Sequence, residues 1–359
     1  MPISKRKRRV LVVGPGVDSK GGITAVIYNY GRSSFWAEFG CAHFSSTRDG
    51  SRLIKLIYAI YRFVVFLWTI LSSRPTAISL HTSHGSSFFR KCGYLLAARM
   101  VLIPVVLHIH PAGFIDFYNG ASPLCQRFVR LAARLSDRIV FLSIAQLEAF
   151  RPIYPQAKMV VISNPVDISA FSDWRSDWQH MPHQVLYLGW IIREKGVYDL
   201  ADAIPRVVEE FPDASFVFGG TKELAKLRSL LAEQQLSAHA QVVGWVEGDE
   251  RLRLLRTSRV LVLPSYSEGV PNVILEAMAA RIPVIVTPVG GVPSVVEDGV
   301  TGVYVRPGDV DEISAAICRL LGDREECERL VENAYREVSQ KYDIEVIAEQ
   351  LRQLYGGLA

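Results

Sequence analysis

In the stretch SEGVPNVILEAMAA, residues 267–280, two glutamates stand eight positions apart: Glu268 just before a glycine, Glu276 inside an apolar run. Carboxylates accept paired hydrogen bonds from neighbouring hydroxyls, the pattern that a ribose or a hexose presents. Gly269 lets the backbone come close to a ligand. Pro271 suits the first turn of a helix, where its missing N–H costs nothing. A helix starting there aims unsatisfied N–H groups and a partial positive charge outward, which favours an anion. Hydroxyl acceptors beside an anion site suit a ligand that combines sugars with phosphates, as a nucleotide sugar does.

Other residues carry related chemistry. In GPGVDSKGGITAVIYNY (14–30), Gly21 and Gly22 open the first expected helix; the turn is glycine-rich without being a strict G-x-G-x-x-G. Gly290 and Gly291, after PVIVTPV, offer a second close backbone approach to phosphate. In VVLHIHPAGF (105–114), His108 and His110 end a strand and point to the same side of it, while His81 and His84 lie at another strand end. Asp309 and Asp311 form a D-x-D, but its place at the start of a late helix reads as a cap rather than a metal site.

The elements that must position these groups alternate. Short β-branched runs at 10–14, 76–82, 104–110, 138–143 and 158–163 interleave with helical stretches, and the rhythm repeats at 184–190, 214–220, 240–246, 260–265 and 283–289. Apolar runs without alternation suit strands covered on both faces, and βαβα order implies parallel sheets. The expectation is an α/β chain of two doubly wound, Rossmann-like domains facing a cleft: residues 1–164, with a helix at 345–359 packing back on them, and residues 165–344. The 359-residue length agrees with about two domains. Five cysteines without C-x-x-C spacing argue against a disulfide scaffold or zinc site and for a cytoplasmic location. The basic start runs straight into a strand, with no visible signal peptide. A net charge of +4 and no basic stripe interleaved with aromatics argue against nucleic acid.

The stretch LPSYSEGVPNVILEAMAARIPVIVTPVGGVPSVVEDGVTGVYVRPGD (263–309) resembles the Glu-x(7)-Glu block of retaining glycosyltransferases of family 4, which have the GT-B architecture. The likeness implies that Glu268 contacts the donor sugar and Glu276 the ribose, with Val270, Pro271 and Asn272 in the same donor loop. LGWIIREKGVYDL (188–200) resembles the family's Gly-Arg-Leu-x-x-x-Lys-Gly segment. It implies that Lys195 stabilises the leaving diphosphate; Trp190 stands at the expected arginine, and Arg193 is the substitute. The resemblance also implies a donor-contacting histidine, assigned to His110 with His108 as alternative, a first loop at Gly21–Gly22 over the diphosphate, and base contact at Trp245. Departures are Arg281 for a usual Gly and Ser294 for a usual Glu.

The implied activity moves a hexose from a UDP- or GDP-linked donor to a saccharide or polyprenyl-linked saccharide, without metal or cofactor. Rival readings are a nucleotide-sugar epimerase or hydrolase on the same fold, or a non-catalytic partner subunit. Residues 53–71 are strongly apolar but interrupted by Lys55 and Arg62, and fit either a buried core helix or a helix lying in a membrane interface. With the basic run at 5–9, the second reading implies peripheral contact with the cytoplasmic face of a membrane.

Overall fold

The computed structural model describes residues 9–48, 50–172 and 181–358; of the basic run, residues 5–8 lie outside them. The chain divides into two compact units, one running to Pro165 and resuming from Ile344, the other Val166–Asp343.

The first unit holds a six-stranded parallel sheet of β1 (Val10–Gly14), β2 (Ala42–Ser45), β3 (Ala77–Thr82), β4 (Val105–Ile109), β5 (Arg138–Phe141) and β6 (Met159–Val161), in the order β2-β1-β3-β4-β5-β6. Successive strand residues feed two cores. Leu11, Val13, Ile78, Leu80, Leu107 and Phe141 face one; Val10, Val12, Ala77, Val106 and Val140 face the other. That double burial is why these strands read as continuous apolar runs. Helices α1 (Gly22–Arg32) and α2 (Ser34–Glu38) cover the second core. Helices α3 (Arg52–Ser73), α4 (Ser86–Met100), α5 (Phe114–Asn119), α6 (Pro123–Leu135) and α7 (Ile144–Phe150) cover the first.

In the second unit β7 (Gln184–Leu188), β8 (Ser215–Gly219), β9 (Ala240–Gly244), β10 (Val260–Leu263), β11 (Val284–Val286) and β12 (Val303–Tyr304) are ordered β12-β11-β10-β7-β8-β9, all parallel. Helices α8 (Val197–Glu210), α9 (Leu224–Glu233), α10 (Gly248–Thr257), α11 (Asn272–Ala279), α12 (Val310–Gly322) and α13 (Arg324–Lys341) connect and follow them. The chain builds outward from β7 to β9, then returns to lay β10 on the other side of β7. The β7/β10 junction is therefore a topological switch point, where ligands collect beyond the carboxyl ends of the strands. The last helix, α14 (Ile344–Gly356), returns to the first unit and places Ile347, Leu351 and Tyr355 in its second core.

Two strands escaped the sequence pattern. β2 and β12 are short edge strands, and β2 presents Ala42 and His43 where a central strand would place bulky apolar groups. Of the two readings that the sequence leaves open for residues 53–71, the structure does not hold the buried core helix. In α3 only Phe66 and Ile70 are fully buried, while nine large apolar side chains are exposed, Trp68 to 70%. α3 is the single helix among the described residues long and apolar enough to cross a membrane by length and composition. Its two ends, however, are tied to β2 and β3 of one sheet, and Phe63 and Phe66 meet Tyr94 of α4 edge-on. It lies along the unit with one stripe docked and the rest outward.

Candidate functional site

The groups singled out at 188–200 and 263–291 come together at the β7/β10 junction. After β7 the chain makes a short 3₁₀ turn, Arg193–Lys195, ended by Gly196 in the left-handed region (φ 66°). A Cβ on Gly196 would sit 2.0 Å from the Pro264 carbonyl oxygen, so the position needs glycine twice over: for its dihedral and for the close approach of the loop after β10. Tyr266 N–H donates to the Glu194 carbonyl at 2.9 Å and ties the two loops together.

This seam brings Lys195 Nζ to 2.7 Å from Glu268 Oε1, and the same ammonium donates to the Ser267 carbonyl at 3.1 Å. Ser265 Oγ donates to Glu268 Oε1 at 2.7 Å. The Glu268 side chain keeps 11% of its surface accessible, enough to reach a ligand while its orientation is held from two sides. Beneath it, Tyr187 donates to the Trp190 carbonyl at 2.7 Å, and burial with the nearby Glu268 charge holds its phenol well above the ordinary range. Trp190 puts its ring under the Lys222 ammonium at 5.1 Å, so the side chain at the expected arginine position serves a cation–π contact. Arg193 is exposed beside Asp199.

Glu276 is the fifth residue of α11 and has a partner that the sequence did not reveal: Arg251 of α10 grips its Oε2 with Nε at 2.7 Å and with Nη2. Pro271 stands one residue earlier than expected, at the capping position with ψ 124°, where it feeds an extended chain into the helix starting at Asn272. The buried Val270 anchors the loop between the two glutamates. Gly291 packs against the same loop: its N–H donates to the Glu268 carbonyl at 3.2 Å, and a Cβ there would lie 2.3 Å from the Gly269 carbonyl oxygen. Gly290 has φ 58°. Trp245, just after β9, is half-buried, with its indole N–H donating to Glu247 at 2.9 Å.

The two sequence departures have local causes. Arg281 takes φ 54° where α11 ends, a conformation that favours glycine, and its guanidinium lies 3.5 Å from the Tyr335 ring centre. Ser294 donates to the Gly291 carbonyl at 2.6 Å and so braces the glycine turn. Asp309 caps α12, accepting from the Glu312 N–H at 2.9 Å.

In the first unit Gly21 caps α1 and Gly22 is its first residue. His110 follows β4 directly and is 7% exposed. Its Nε2 lies 2.9 Å from His81 Nδ1, whose other nitrogen meets Ser79 Oγ at 3.0 Å. The facing nitrogens can share only one proton. Burial lowers His110 to about 4 and pushes His81 and His108 well below the ordinary range, so the cluster is neutral near pH 7. His108 Nε2 approaches Tyr355 Oη of α14 at 3.3 Å, a contact inside the core. His84 is exposed and stacks on Phe117.

Two parallel-sheet Rossmann-like units, one with a lysine–glutamate pair and an arginine–glutamate pair along a glycine-braced strand edge, define a GT-B protein. The sequence profile described as "Glycosyl transferases group 1" matches residues 170–337. An alpha-D-kanosaminyltransferase from Streptomyces kanamyceticus is 33% identical over 278 residues, 72% of this chain and 72% of the relative. An uncharacterized glycosyltransferase from Methanocaldococcus jannaschii is 33% identical over 253 residues, 66% of this chain and 64% of its own length. Among solved structures, a sucrose-phosphate synthase from Thermosynechococcus elongatus superposes with TM-score 0.79 at 21% identity, covering 98% of this chain and 99% of that one. The Anabaena protein HepE, solved with UDP and glucose, gives 0.75 at 18%, covering 98% and 100%. The chain belongs to the group 1 glycosyltransferases.

Proposed function

We propose that this protein is a retaining glycosyltransferase that moves a hexose from a UDP- or GDP-linked donor to a saccharide or lipid-linked saccharide, without a metal ion. The observation that carries the reading is the Lys195–Glu268 pair at the switch point, seated beside the amino end of α11. Glu268 offers a fixed carboxylate to sugar hydroxyls. Lys195, with Arg193 alongside, meets the charge that grows on the diphosphate as the anomeric bond breaks. Glu276, steadied by Arg251, holds the ribose. His110, neutral and buried, is suited to donate or accept one hydrogen bond to the sugar without adding charge. No residue is assigned as nucleophile: the acceptor hydroxyl attacks the face the diphosphate leaves, and the leaving phosphate takes its proton.

Calorimetric titration with UDP and GDP in the presence of EDTA tests the donor site. One of the two binds saturably, and binding is lost in Glu276→Ala. A folded protein that binds neither nucleotide overturns the reading.

The exposed face of α3 supports peripheral contact with an anionic membrane. An apolar stripe with Trp68 and Tyr61, on a helix that also carries Lys55, has the composition of an interfacial helix. The protein then floats with anionic liposomes, and Trp68→Glu with Leu71→Glu releases it. Full recovery of the unaltered protein in the lipid-free fraction at low salt contradicts this.

A further inference from the structure

Residues 50–115 contain seven Lys or Arg, at 52, 55, 62, 74, 90, 91 and 99, and no Asp or Glu. Two of them, Lys91 and Arg62, meet at the carboxyl ends of β1 and β2, and Arg90 stands close to Lys91 and Tyr94. Lys91, only 2% exposed, donates from α4 to Ser46 Oγ, which itself donates to the Gly14 carbonyl at 2.7 Å. Arg62 of α3 donates to the Ser45 carbonyl at 2.7 Å and lies 4.0 Å over the Phe44 ring. Arg90 is half-buried next to Lys91, with its Nε enclosed and without a hydrogen-bond partner; the same holds for Tyr94 Oη and His43 Nε2. The charges acting on Lys91 and His43 are other cations of this group, and Arg62 and Arg90 both act on Tyr94; among the described residues no carboxylate acts on Lys91, His43 or Tyr94. Burial and Arg90 hold Lys91 well below its ordinary range.

Enclosing cations without a counter-charge is costly in a folded protein. The arrangement stands at the strand edge where parallel sheets take their ligands. Gly16 keeps the loop after β1 tight against the loop after β2, since a Cβ there would lie 2.9 Å from the Thr47 carbonyl oxygen. Two arginine forks and an ammonium around small hydroxyl residues fit phosphate oxygens. Resting on the glycosyltransferase reading, we infer that Arg62, Arg90 and Lys91 form the acceptor's anchor, and that the acceptor carries a phosphate or diphosphate. α3 joins this site to the exposed apolar face, because Arg62 and Trp68 belong to the same helix. The phosphate therefore comes from a lipid-linked saccharide or from a soluble phosphorylated one.

The test titrates inorganic pyrophosphate and, separately, geranyl diphosphate into the protein held in excess UDP, so that the nucleotide side is occupied. Both bind saturably to the unaltered protein. Arg62→Gln and Arg90→Gln each weaken binding at least tenfold, while the exposed Arg206→Gln on α8 and the affinity for UDP stay unchanged. Arg62 is half-exposed, so its variant stays folded even where Lys91→Met does not, and circular dichroism melts verify each protein. Tighter binding of geranyl diphosphate assigns a lipid-linked source; equal binding assigns a soluble one. No saturable binding of either, or binding indifferent to Arg62 and Arg90, overturns the anchor. The prior UDP titration is read on its own: a protein that takes pyrophosphate at Arg62 and Arg90 but no nucleotide refutes the donor-site reading and leaves the anion site standing.

Discussion

The strand edges of the two units handle charge in opposite ways. In the second unit the two cations beside the paired glutamates are matched: Lys195 by Glu268, Arg251 by Glu276. In the first unit Arg62, Arg90 and Lys91 stand with histidines and hydroxyls, and among the described residues no carboxylate pairs with them. A matched edge is preorganised, with its side chains already held in place to receive neutral hydroxyls and a diphosphate. An unmatched edge stores the cost of buried positive charge until an anion relieves it. On the proposed reading the second unit's site is rigid and the first unit's is completed by its ligand.

The matched edge breaks most severely through Lys195. Lys195→Met lowers kcat/KM roughly a thousandfold, about 4 kcal/mol of transition-state stabilisation, with nucleotide affinity changed far less. Steady-state kinetics beside calorimetry separate the two. A fall in affinity that accounts for the whole loss assigns Lys195 to ground-state binding.

Acid probes the first unit. His110 has a folded value of about 4 against an ordinary 6.5. The unfolded chain then binds the proton more readily, so stability is constant above about pH 6.5 and declines as pH falls from there toward 4. The contribution of His110 is at most about 3 kcal/mol, from 1.36 kcal/mol per pH unit, with His81 and His108 acting in the same direction. Urea unfolding at stepped pH follows this, and His110→Gln flattens the slope.

The seam between the loops after β7 and β10 gives a smaller effect. Gly196→Ala strains φ 66° and pushes into Pro264, whereas Gly248→Ala strains φ 57° in open space. The first loses roughly 2–3 kcal/mol of stability and most activity; the second loses about 1 kcal/mol and keeps activity. Equal losses at the two glycines mean that the seam is not what holds Lys195 to Glu268. The mildest change is Glu276→Gln, which keeps the shape and removes the charge, and weakens nucleotide binding about tenfold, or 1.4 kcal/mol.

How far these features can be read from residues alone depends on how local they are. Glu268, Gly269, Pro271 and Glu276 share one loop and one helix, so their spacing is enough to place them. Lys195 and Gly196 are equally local. Arg251 is not: α10 carries three arginines, and only packing against α11 selects the one that meets Glu276. The unmatched cations are hidden for the same reason, since Arg62 and Lys91 come from helices separated by β3. The main sheet strands are legible because burial on both faces makes them continuously apolar, whereas β2 and β12, at the edges, lack that mark. α3 is ambiguous in sequence because an apolar helix with two basic residues suits a core or an interface alike, and only its shallow docking on Phe66 and Ile70 decides against the core.

The central claim is transfer with retention from a nucleotide sugar at the Lys195–Glu268 edge. Its most direct test follows a panel of UDP- and GDP-hexoses with the protein in EDTA by proton NMR, watching the anomeric signal of the first sugar released or transferred. The account predicts that one donor is consumed, that the first product has the donor's own anomeric configuration, and that Lys195→Met abolishes the signal. A first product of inverted configuration, or consumption that persists without Lys195, contradicts it.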